Sequence, residues 1–229
     1  MTRRRSHREA LAAAMHYRLG LLLALQCLSI FAVGPIIEQS PVIRPVGGTV
    51  FGLMFIAGMA LMADRGWLRH LLIGTGVAIL ALEFWRYADP SPPIILLYSA
   101  SLALFLIVLS VTLALILASR ERVTTDVLMG AVALYLNVGL IFAAVYAFIE
   151  NIQPGAIAMP DRDIGAPLHP LHFLYFSLVT LTTVGYGDTV PVSALARSLA
   201  TMEAAMGQLY PAIILARLVS MHVAEGEQR

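Results

Sequence analysis

Lysine is absent from this chain of 229 residues, and all 15 basic residues are arginine. Chemistry alone would tolerate some lysine, so the absence points to a GC-rich bacterial genome. Charge of either sign is scarce, at 13% of residues, with a formal net charge of +1. A nucleic-acid binder needs a concentrated basic face, so no nucleic-acid partner is expected. There is one cysteine, Cys27, inside an apolar run, which excludes an intrachain disulfide and any cysteine-rich metal site. It reads as a small buried apolar residue. No Ser/His/Asp arrangement, paired carboxylates or phosphate-cradling loop stands out. No enzyme, no cofactor and no soluble partner are therefore expected.

Apolar residues are abundant instead. They make up 59% of the chain, and the mean hydropathy is +0.81. They gather into runs of roughly 20 residues, the length a helix needs at about 1.5 Å per residue to cross about 30 Å of hydrocarbon. An integral membrane protein with an all-α fold is predicted.

Residues 1–18 form a basic N-terminal segment. Although its start resembles the charged region of a signal peptide, the stretch Leu19 to Ile37 is too long and no small-residue cleavage site follows it cleanly. It reads as an uncleaved first span, with Pro35 near its outer end. A second span runs over 46–63 and a third over 68–87, where Glu83 and Arg86 are spaced to pair at i,i+3. After the break at Asp89-Pro90-Ser91-Pro92-Pro93, a fourth span over 94–118 carries no charged residue. Residues 19–118 thus form a four-span bundle and 119–126 a linker. A pore-sized module follows over 127–222, with a fifth span at 127–149 and a sixth at 197–222. A tail of 223–229 remains, leaving no expected room for a cytoplasmic sensing domain.

Arginine placement orients the chain. With the N-terminus inside, the inner segments hold Arg3, Arg4, Arg5, Arg8, Arg18, Arg65, Arg69, Arg120, Arg122, Arg217 and Arg229. The outer side holds Arg44, Arg86, Arg162 and Arg197. Both termini are predicted to be cytoplasmic in a multi-pass cell-membrane protein, with lipid as its surroundings.

The loop between the fifth and sixth spans carries the chemistry. Pro170 suits the first turn of a helix, where its missing N–H costs nothing. The stretch 170–182 is apolar but too short to cross a bilayer, and it runs into Thr183-Val184-Gly185-Tyr186-Gly187-Asp188. Non-helical backbone at membrane depth survives only inside protein or beside water. A re-entrant pore helix followed by a carbonyl-lined strand is predicted. A potassium ion must exchange its hydration shell for oxygens supplied by the pore, and neutral, closely spaced carbonyls do this without trapping it. Turning successive carbonyls the same way needs alternating dihedrals, including φ > 0, which Gly185 and Gly187 adopt cheaply. Val184 and Tyr186 brace the strand, and Thr183 adds a hydroxyl oxygen at the inner mouth. The helix before it aims its negative C-terminal dipole at the entering cation.

Over its last hundred residues the chain resembles the potassium channel family: outer helix, pore helix, T-V-G-Y-G-D, inner helix. That resemblance implies potassium bound at Thr183, Val184, Gly185 and Tyr186, with Gly187 completing the filter. It implies a homotetramer, because one chain supplies one pore loop. It assigns filter support to Thr182, Asp188, Tyr175 and Phe176, the last two standing where many members have a Trp-Trp pair. Val179 stands where some bacterial members have a Glu. Arg197 begins the inner helix, and Gly207 falls where such channels place a gating hinge, with Pro211 one turn later. On that reading Gly207→Ala shifts open probability and leaves selectivity alone; the alternative is that Gly207 is a close-packing residue between helices.

Glu203, one turn before Gly207, is the ionisable residue at membrane depth. It reads either as a structural hydrogen-bonding group or as an acid facing the cavity. Gln208 and Tyr210 are open to helix–helix contacts. His169 reads as a solvated loop residue, with pH sensing as the alternative. The reading that follows is a potassium-selective channel subunit of the bacterial inner membrane, not gated by voltage because its fourth span has no charge to move. The alternatives are a weakly selective cation channel and a subunit of a potassium transporter.

Overall fold

A computed structural model of the chain describes residues 19–33, 66–88, 91–119, 124–159 and 170–226. The expected second span, the basic segment 1–18, Pro35, Arg44, Arg120, Arg122, Arg162 and His169 lie outside the described residues.

The order of elements is α1 (Leu19–Ala32), α2 (Gly66–Ala88), α3 (Pro92–Ala118), α4 (Thr125–Ile152), β1 (Ile157–Ala158), α5 (Pro170–Leu181), β2 (Val190–Pro191) and α6 (Ala194–Gly226). The end of α1 runs into a π-helical stretch, Leu28–Val33. Three described helices are long and apolar enough to cross a membrane: α3, α4 and the Ala194–Arg217 part of α6. They coincide with the expected fourth, fifth and sixth spans. The expected third span is one unbroken helix, α2, in which Arg86 pairs with Glu83 at 2.8 Å and stands 5.0 Å from the Tyr98 ring of α3.

Local chemistry explains the ends. Pro92 and Pro93 open α3, where no intrahelical N–H is needed. At its other end Ser119 closes the helix by donating its backbone N–H to Leu115 O. The Ser193 hydroxyl accepts the Ala196 N–H at the start of α6.

Packing is sequential. α2 lies on α3, α3 on α4, α4 on α5 and α5 on α6. Leu106, Leu109 and Leu113 of α3 form a buried strip, and α1 adds Leu22. The Gln26 side-chain amide of α1 donates to Oδ1 of Asn137 in α4 at 2.8 Å, both residues buried.

One feature was not expected from an all-helical reading. β1 and β2 form a two-stranded antiparallel ladder, with Ile157 opposite Pro191 and Ala158 opposite Val190. The ladder clamps the end of α4 to the start of α6. It is anchored by Glu150, whose carboxylate accepts the N–H groups of Gly155 at 2.7 Å and Ile157 at 3.0 Å. The chain therefore leaves α4 and enters α6 at one end of the molecule. Everything between these two helices must go out and come back.

Candidate functional site

α5 has 12 residues, so at about 1.5 Å per residue it spans roughly 18 Å, about half of a bilayer core. It runs from the ladder end toward the middle of its neighbours. Its Ser177 hydroxyl reaches Gly139 O in mid-α4 at 2.7 Å. At its far end, Leu181 O accepts from the Tyr135 hydroxyl at 3.1 Å.

From Leu181 the chain doubles back along α5. The N–H groups of Thr183, Val184 and Gly185 donate to α5 carbonyls, at 2.9 Å to Thr180 O and at 3.0 and 3.3 Å to Val179 O. Farther out, the Tyr175 hydroxyl donates to Asp188 Oδ2 at 2.7 Å. Asp188 is thereby held below the ordinary carboxylate range, chiefly by that bond and also by the Thr189 N–H. The returning segment is pinned to its own helix at both ends.

Its backbone alternates. Positive φ occurs at Thr183 (58°), Gly185 (58°) and Gly187 (80°), every second residue. For the two glycines this region carries no Cβ penalty. Thr183 takes it at a cost that the neighbouring hydrogen bonds must offset. Among the described residues, no donor reaches the carbonyls of Thr183 through Gly187. A row of neutral oxygens is left with its valence open. Val184 and Tyr186 are exposed in the single chain, at 52% and 71%. Among the described residues they have no partner surface.

The sequence-proposed support residues fall into two groups. Tyr175 touches the segment directly through Asp188. Phe176 is buried, its ring 4.8 Å from that of Tyr146, while Thr182 bonds locally to Leu178 O. On α6, the Gln208 side-chain amide donates to the Thr183 hydroxyl oxygen at 2.8 Å, just where the segment begins. Tyr210 donates to Ala131 O of α4 at 2.7 Å. Arg197 donates to Pro191 O at 3.2 Å and so belongs to the ladder.

Glu203 is completely buried. It faces the interior between helices, with Tyr146 of α4 donating to Oε2 at 2.6 Å and the Ser177 hydroxyl of α5 against Oε1. Gly207 lies where α6 presses on the end of α5. A Cβ there would come within 2.8 Å of the Leu181 carbonyl carbon and nearer still to its oxygen. Pro211 is contained within the helix. Its missing N–H leaves the Gly207 carbonyl without its i+4 donor.

Sequence reasoning missed Ser177, Tyr146, Tyr135 and Glu150. For Ser177 a faint signal existed, a small polar residue on an otherwise apolar short helix. The others have no local signature.

Set beside known proteins, residues 133–224 match a sequence family described as ion channel. The matched stretch covers most of α4, the ladder, α5, the returning segment and nearly all of α6. Protein LctB of Bacillus caldotenax is 35% identical over 104 residues, which cover 44% of this chain and 76% of that protein. Protein LctB of Geobacillus stearothermophilus is 36% identical over 103 residues, with the same coverage of 44% and 76%. The inward rectifier potassium channel Kirbac3.1 of Paramagnetospirillum magnetotacticum is 34% identical over 80 residues, 33% of this chain and 23% of that one. With its membrane-length helices and the half-length helix and doubled-back segment between the last two, this chain belongs to the ion channel family.

Proposed function

We propose that the chain is one subunit of a homotetrameric, potassium-selective channel, with residues 183–187 as the ion-coordinating segment. The carrying observation is the alternation of positive φ at residues 183, 185 and 187 beside carbonyls that no donor among the described residues reaches. Four such segments around an axis supply rings of neutral oxygens that replace the water around a potassium ion. The innermost ring adds the Thr183 hydroxyl, which Gln208 orients by donating to it. α5 is then a re-entrant pore helix, with its C-terminal dipole toward the cavity. Potassium is the permeant ligand and no cofactor takes part.

Assembly is supported by what one copy leaves uncovered. Only 17% of the spanning window of α6 is buried within the chain, against 56% for α4. Met202, Met206, Leu209 and Ile213 stand exposed on α6. A bare apolar helix beside a bare filter fits other copies of the same chain. In the proposed arrangement α1 to α3 lie outside the pore, and six spans result when the second expected span is counted. Both chain ends face the cytoplasm of a bacterial inner membrane.

The test is potassium flux into liposomes containing the purified chain, with reversal potentials in mixed potassium and sodium. Potassium preference is expected. Gly185→Ala, which puts a methyl where φ is +58°, costs about 1–2 kcal/mol per subunit and should abolish conduction or preference. Equal permeability to the two ions in the wild type would instead establish the weakly selective cation channel. Unaltered selectivity in Gly185→Ala would remove the segment from the role given to it.

A further inference from the structure

We infer that Glu203 is a positioning residue that keeps its proton, and that as a neutral acid it locks the inner helix to the pore helix and the outer helix. Three acceptor oxygens meet in this buried spot: Gly139 O of α4 and both carboxyl oxygens of Glu203. The hydroxyls of Tyr146 and Ser177 supply two protons between them. Tyr146 donates to Oε2 at 2.6 Å. The single Ser177 proton cannot serve both of its contacts, Gly139 O at 2.7 Å and Glu203 Oε1. If Glu203 were ionised, one of these oxygen pairs would face each other with no hydrogen between them, which is repulsive at hydrogen-bond distance.

A proton on Oε1 resolves the count. The acid donates to Ser177 Oγ, Ser177 donates to Gly139 O, and Tyr146 donates to Oε2. Every pair then holds one hydrogen. Burial argues the same way. Glu203 is 0% exposed, and among the described residues no cationic side chain pairs with it. The groups facing it are Tyr135 and Tyr146 from α4 and Ser177 from α5, none of which offsets a negative charge. An unpaired carboxylate in such a place is strongly disfavoured.

The lock has a second point. Ser177 and Leu181 are one turn apart on α5, and Glu203 and Gly207 are one turn apart on α6. Ser177 meets Glu203, and Leu181 meets Gly207. Two contacts with matched spacing fix both the separation and the register of the helices. The Leu181 end of α5 carries the segment 183–187, so the neutral acid sets where the proposed filter begins.

The inference is tested on the full chain by infrared difference spectroscopy and thermal unfolding, alongside flux. At neutral pH the wild type should show the carbonyl stretch of a protonated carboxyl, lost in Glu203→Gln and shifted in Tyr146→Phe. Glu203→Gln should retain wild-type unfolding temperature and flux, because its amide N–H donates to Ser177 and its carbonyl accepts from Tyr146. Glu203→Ala should lose both, leaving two buried hydroxyls short of a partner. A wild-type spectrum with no protonated-carboxyl band assignable to Glu203, or Glu203→Gln as damaging as Glu203→Ala, overturns the inference. The band and the unfolding temperature do not require conduction, so a failure here is distinguishable from a failure of the channel reading.

Discussion

Replacing Gly207 with alanine is the most informative single perturbation of the helix contacts. From sequence alone, the substitution removes a flexible point and shifts open probability. The structure favours the alternative, a close-packing glycine. The new Cβ would lie 2.8 Å from the Leu181 carbonyl carbon and 3.2 Å from its Cα. Favourable carbon–carbon contact needs about 3.5–4.0 Å, and the Leu181 oxygen is nearer still, so the two helices must part by more than about 1 Å. All three obstructing atoms, the Leu181 oxygen, carbonyl carbon and Cα, are backbone, which cannot rotate away. Helix propensity returns about 1 kcal/mol per subunit, while overpacking in a well-packed interior costs about 1–3 kcal/mol and more where backbone must move. The balance is destabilising, and its effect falls on the residue two before Thr183. Gly207→Ala should therefore lower the thermal stability of the assembled channel and reduce potassium preference or flux. Thermal unfolding in detergent and reversal potentials in liposomes read the two effects. Wild-type stability and selectivity, with only open probability altered, would refute the packing argument and return Gly207 to a pure hinge.

Other perturbations separate the parts of the molecule. Asp188 has a folded pKa below its ordinary value of about 3.9, so its contribution is complete above that value and is lost only as pH falls through the depressed one. Flux should be indifferent to Asp188 at external pH above about 5, and Tyr175→Phe should move any acid-side loss to higher pH by removing the hydroxyl that donates to the carboxylate. Arg217 donates from α6 to Leu117 O at the C-terminal end of α3, at 3.2 Å. Such a cation is worth about 0.3–1 kcal/mol per helix end, so Arg217→Gln should change open probability in single-channel records without changing ion preference. Finally, α3 runs Pro92–Ala118 without a charge. Since each charge crossing the field contributes about 2.3 kcal/mol per 100 mV, open probability should vary only shallowly with voltage, and a steep sigmoid would falsify this.

What could be read in advance follows from the range of each interaction. Span positions depend on composition over about 20 residues, and α3, α4 and α6 lie where hydropathy puts them. The alternation at 183, 185 and 187 is written locally, because two of the three positions are glycine. Thr183 was expected to contribute an oxygen, and its own positive φ carried no local sign. Long-range contacts were not legible. Glu203 finds Ser177 across 26 positions and Tyr146 across 57, and no periodicity encodes such pairings. Glu150 looks like a charge at a helix end, yet it is buried and holds the ladder. The ladder itself rests on two residues per strand, too few to show an alternating pattern.

These contacts divide α6 into two mechanical regimes. Above Gly207 the helix is held through Arg197 at the ladder, Glu203 at Ser177 and the close approach to Leu181. Just below it Gln208 still reaches the Thr183 hydroxyl, and farther down the ties are Tyr210 to Ala131 of α4 and Arg217 to the end of α3. The change falls at one turn, where Pro211 leaves the Gly207 carbonyl without its usual donor. A bend between Gln208 and Pro211 leaves the upper segment, the Gln208–Thr183 bond and with them the start of residues 183–187 in place. It moves the segment carrying Tyr210 and Arg217, whose partners belong to α4 and α3. On the proposed reading, a gate made here opens or closes without altering ion preference, and the peripheral helices act on it through the Arg217 end. The two roles first assigned to Gly207 are then one arrangement: its packing against Leu181 fixes the part that must not move and sets where bending begins.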